Sequence, residues 1–62
     1  MIDLREPIPP GTIVEHVCRG DLWIILFEEA GSRGNRINAF NLQSHRQQLL
    51  SRSYIVNFTR SL

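Results

Sequence analysis

Only one cysteine, Cys18, stands in this chain of 62 residues, so no disulfide can close within it. That absence fits a reducing compartment, and Met1 is followed by no basic-then-apolar leader, so the expectation is a soluble, cytoplasmic protein. Long hydrophobic runs are also missing. The longest, over residues 22–27, has six residues, far short of the roughly 20 that a membrane-spanning helix needs. Lysine is absent altogether, and no acid follows Glu29. A chain this short makes one domain and buries only about 60% of its unfolded surface, so association is a common remedy when neither disulfide nor metal is present.

What charge there is lies unevenly. Six acids and two arginines, a net of −4, precede residue 31, and five arginines without any acid, a net of +5, follow it. Arginine's planar fork suits bidentate contact with carboxylate or phosphate. Two readings follow, pairing between the halves of one folded chain or contact with an anionic partner.

The stretch most informative about fold is residues 12–27, T-I-V-E-H-V-C-R-G-D-L-W-I-I-L-F. Two runs rich in β-branched and aromatic residues flank Gly20-Asp21, which reads as the tight turn of a β-hairpin. With a two-residue loop, Cys18 faces Trp23, His16 faces Ile25 and Val14 faces Phe27 on one side of the ribbon. Residues 22–27 show no polar alternation, which predicts a central strand covered on both faces.

Around this hairpin the chain divides into a proline-containing extended arm, residues 1–11, and a single small β domain, residues 12–62. Pro7, Pro9 and Pro10 remove backbone donors and forbid a helix in the arm, while Ile2, Leu4 and Ile8 are placed to lay one side of it on the sheet. Residues 30–35 read as a glycine-containing loop, and residues 36–40 as a short third strand. Residues 41–52 carry cap signals at Asn41 and Ser44 and leucines on one helical face, which predicts a short helix. Residues 53–59 alternate with period two and predict the last strand. The expected fold class is therefore mainly β, a small α+β antiparallel β-β-β-α-β arrangement. It would be either a small bent barrel of the SH3-like kind or a four-stranded sheet with one short helix.

Chemistry is sparse. His16 and Cys18 would need His45 to make three metal ligands, and no tighter spacing supports a zinc site. As a nucleophilic pair, two alternate residues of one strand lie roughly 7 Å apart, too far for proton transfer. Arg19-Gly20-Asp21 is explained by the turn, and Asn57-Phe58-Thr59 falls inside a predicted strand. No enzyme activity, cofactor, metal or small-molecule substrate is expected. The expected function is a non-enzymatic interaction module, self-associating or a small subunit of a larger protein assembly, with no membrane partner. Arg33, Arg36, Arg46 and Arg52 are the candidate contact residues, with Trp23 an aromatic anchor if its face is open. The alternative is nucleic-acid binding, RNA or DNA, through the arginines of the C-terminal half.

Overall fold

The computed structural model describes residues 3–32 and 34–62. Five strands, β1 (Ile13–His16), β2 (Leu22–Glu29), β3 (Arg36–Asn41), β4 (Arg46–Ser51) and β5 (Thr59–Ser61), form one sheet, with helix α1 (Arg52–Phe58) between the last two. Every pairing is antiparallel and the order is β4-β3-β2-β1-β5. The mainly β class with one short helix is thus as the sequence predicts, and β2 does lie at the centre.

The first hairpin keeps its faces but not its register. Val14 opposes Trp23 rather than Phe27, and Ile13 opposes Ile24. The reversal is wider than two residues because the His16 amide donates to the Asp21 carbonyl at 2.8 Å and the Gly20 amide to the His16 carbonyl at 2.9 Å. Inside this loop the His16 imidazole turns back, its Nδ1 accepting from the amides of Cys18 and Arg19, each at 3.1 Å. The pairing is displaced by an even number of residues, so Val14, His16, Trp23 and Ile25 still share one face.

Gly20 closes the loop at φ 78, with open space where a Cβ would stand. Only backbone strain therefore opposes a side chain there. Gly20→Ala is expected to cost about 1 kcal/mol, read as a fall of roughly 4–8 °C in the thermal midpoint; an unchanged midpoint would contradict the left-handed conformation.

The C-terminal half corrects two expectations. Of residues 41–52 only Arg52 is helical; the others hold the end of β3, a turn and β4, which raises the sheet from four strands to five. The cap signal at Asn41 is physically real, since its Oδ1 accepts from the amides of Gln43 and Ser44, each at 2.9 Å. That side chain nucleates a turn, and His45 at φ 58 then bends the chain back into a hairpin instead of onward into a helix. Residues 53–58 are helix and not strand, and of the expected last strand only Thr59 is in one, as the start of β5. Ser51 caps α1 through its side chain, which accepts from the Tyr54 amide, and Ile55 is fully buried against the sheet. Burial of Ile55, of order 2 kcal/mol, outweighs the preference of Ile55 and Val56 for strand.

One face of the sheet carries the core: Val14, Trp23, Ile25, Ile37 and Ala39, closed over by Ile55 of α1 and by Leu4 and Ile8 of the N-terminal segment. That segment enters the ladder where the Gly11 amide donates to the Ile25 carbonyl and the Ile25 amide to the Thr12 carbonyl. Ile2 lies outside the described residues. Further along, an extra residue in β2 sets Leu26 and Phe27 against the single Asn38. This bulge resets the alternation, so Phe27 turns away from the core and Glu28, opposite buried Ile37, turns toward it.

Candidate interaction surface

Over the other face of the sheet the described residues form no second layer. Following the registers across the strands, Ile13 opposes Ile24, Ile24 opposes Phe40 and Phe40 opposes Gln47, while the Leu62 amide bonds the Ile13 carbonyl at the edge. A second row runs from Leu26 and Phe27 through Asn38 to Leu49. Ile13, Phe27, Leu49 and Leu62 are exposed at 37%, 49%, 46% and 67%, and Ile24, Leu26 and Phe40 are half-buried only by their neighbours in the sheet. The expectation that both faces of residues 22–27 would be covered is therefore not met. Strand pairing satisfies the backbone of β2 on both sides, but the described residues lay a covering layer on only one face.

Charged groups close the two ends of this apolar belt. At one end Arg60 holds Glu15 at 2.8 Å, on the row that continues to Leu22. At the other end Glu29 opposes Arg36, which opposes Ser51. Each end carries both signs. An apolar centre with a polar rim is the usual anatomy of a contact surface on a soluble protein.

The arginines read from the sequence fall in different places. Arg33 lies outside the described residues. Arg36 and Arg46 sit at opposite ends of the β3–β4 hairpin, Arg46 opposite Asn41, which is five residues along β3 from Arg36 and hence about 17 Å away. They also lie on opposite faces, because Arg46 pairs with buried Asn41 while Arg36 is on the uncovered side. Neither makes an ion pair among the described residues. Arg52 is turned inward, where its Nη1 meets both carboxylate oxygens of Glu28 at 2.8 and 2.7 Å and its Nη2 donates to the Glu6 carbonyl. With Arg60–Glu15, this makes two ion pairs that join the acidic half to the basic half. Intramolecular pairing thus absorbs part of the charge asymmetry.

Trp23 is 2% exposed, so the open face that would make it an anchor is not present. It belongs instead to an aromatic cluster on the core side. Its ring meets Tyr54 edge-on at 6.3 Å, and His16 stacks on Phe58 at 6.1 Å. The indole Nε1 donates to Gln48 Oε1 at 2.8 Å. His16 is committed to the loop amides, Cys18 is exposed, and His45 lies beside Phe40 on the far hairpin. Among the described residues no three His, Cys, Asp or Glu side chains gather as metal ligands. No described helix is long and apolar enough to cross a membrane.

No family model, curated protein or solved structure matches this chain. The surface must therefore be read from its own residues. The unbroken apolar run 22–27, in a chain too short to cover two faces well, is the sequence signal that points to a contact surface; sequence reasoning passed over Ile13, Phe27 and Leu49 as its residues.

Proposed function

We propose that this chain is a non-enzymatic interaction module whose contact surface is the uncovered face of its sheet, acting by self-association or as a small subunit of a larger protein assembly. One observation supports it above the rest: an apolar belt crosses β1, β2 and β3, with Leu62 just past β5 at one edge and Leu49 of β4 at the other, and Ile13, Phe27, Leu49 and Leu62 on it stand exposed. Leaving so many large apolar groups in water costs solubility and brings no gain to the isolated fold. Contact with a protein surface removes that cost. The element order, a short helix just before a last strand that returns to the first, is shared with small SH3-like barrels; that comparison concerns topology and carries no activity.

Nucleic-acid binding is the weaker reading, because Arg52 and Arg60 are engaged with carboxylates and Arg36 and Arg46 do not form one basic face. The test is binding of a hydrophobic fluorescent dye to dilute protein, with and without Phe27→Arg and Leu49→Arg together. Both side chains are about half exposed, so the variant should keep its circular dichroism and lose most dye fluorescence. Undiminished dye binding would remove the face from consideration. Tight binding to mixed RNA or DNA that weakens steeply with salt would favour the alternative.

A further inference from the structure

Resting on that reading, we infer that the occupant of the uncovered face is a second copy of this chain, packed sheet on sheet about a two-fold axis lying between the two layers. The first argument is area. Five strands at about 4.8 Å spacing and six residues at about 3.3 Å rise give a face of roughly 20 × 20 Å before side-chain relief is counted. That is more than half of the 29 × 24 Å cross-section of the molecule. A stable interface takes about 800 Å² from each partner, nearly a fifth of the 4207 Å² that this chain exposes. No other contiguous apolar surface among the described residues approaches that share: on the opposite side Val17 and Phe58 form a small spot at the end of α1, joined by the bond from the Val17 amide to the Phe58 carbonyl.

The second argument is charge. A two-fold contact brings a patch against itself, so any single-sign cluster would meet its own copy and repel it. Here the belt itself carries no charged residue, and the ends hold Glu15 with Arg60 and Glu29 opposite Arg36. Either in-plane direction of the axis therefore sets both signs opposite both signs.

The third argument is layering. A sheet with a core on one face and an apolar belt on the other is the middle of a three-layer stack. A second sheet about 10 Å away, with strands within roughly 30° of the first, completes it and covers Ile13, Ile24, Leu26, Phe27, Phe40 and Leu49 together.

Sedimentation equilibrium on the full chain, from low to high micromolar concentration, tests this. The expected result is a species of twice the 7.2 kDa chain mass at the upper concentrations. Phe27→Arg with Leu49→Arg should weaken it roughly 100-fold or more, with circular dichroism unchanged. Phe58→Arg, an equally exposed site on α1, should leave the dimer intact. In a sample mixed from labelled and unlabelled chains, intermolecular nuclear Overhauser effects should connect the methyls of Ile13, Ile24 and Leu49. A strict monomer at high micromolar concentration overturns the second copy, while loss of dye binding in the face variant would still uphold the broader reading. A dimer insensitive to the face variant, or one whose intermolecular contacts run between β4 amides, overturns it as well, since the copies would then meet by edge addition.

Discussion

Replacing Trp23 with alanine is expected to remove about a third or more of the folding stability of the chain. The indole is 2% exposed and touches three elements at once: it stands on β2, meets Tyr54 of α1 edge-on, and reaches across β3 to give its Nε1 proton to Gln48 of β4. Truncating a buried tryptophan removes its transfer free energy and leaves a cavity, together about 3–5 kcal/mol. A domain of 62 residues has a total stability of about 3–9 kcal/mol at ordinary values per residue. One substitution thus takes a third of that stability or all of it. Trp23→Phe keeps most of the packing and loses only the donor; Gln48 is exposed enough for water to replace the indole, so the cost should be nearer 1–2 kcal/mol. Denaturant titration followed by far-ultraviolet circular dichroism separates the two variants. A Trp23→Ala protein with the wild-type midpoint would show that the core is not where the burial places it.

The same residue illustrates what the sequence could and could not disclose. Apolar character and β-branching in residues 13–16 and 22–27 sufficed to place a hairpin, and the period of two sufficed to group Val14, His16, Trp23 and Ile25 on one face. Register was lost because it depends on a side chain. His16 bonds the loop amides at 3.1 Å and widens the reversal beyond Gly20-Asp21, and no composition rule announces a histidine acting as a cap.

The helix and the strand after residue 41 were exchanged for a related reason. Asn41 offers the same Oδ1 to a hairpin turn as to a helix N-terminus, so the local signal is identical for the first three residues. What separates the outcomes is the left-handed backbone at His45 and the burial of Ile55, both decided by tertiary packing. Of the candidate contact residues, Trp23 is internal, Arg52 is half-buried and paired with Glu28, and Arg36 and Arg46 lie far apart. The belt through Ile13, Ile24 and Phe40 was half visible in the run 22–27. Its exposure was not, because a run covered on both faces and a run covered on one look alike until the number of covering elements is known.

Arg52 carries the second large expectation. It opens α1, and its guanidinium lies between the Glu28 carboxylate of β2 and the Glu6 carbonyl of the N-terminal segment, so one side chain ties three parts of the chain together. The pair is sheltered, with side-chain exposures of 23% and 16% for Arg52 and Glu28. Removing one partner of a fully buried pair costs about 3–5 kcal/mol, mostly because the other charge is stranded; residual solvent here should reduce this to about 2 kcal/mol. Arg52→Met leaves Glu28 with Asn35 Nδ2 as its remaining donor, at 2.7 Å. Glu28→Leu leaves Arg52 with the Glu6 carbonyl.

Each single variant should therefore be destabilised, whereas the double variant, which strands no charge, should recover a good part of the loss and give a coupling of about 1 kcal/mol or more. Arg52→Met should also do something that Glu28→Leu does not, because only the arginine holds Glu6. Leu4 and Ile8 would lose their tether, and amide exchange in residues 3–12 should accelerate beyond the global change in stability. Uniform acceleration across every strand would mean that Arg52 stabilises the whole sheet alike and does not anchor the N-terminal segment, and additive single effects would mean that the ion pair contributes nothing as a pair.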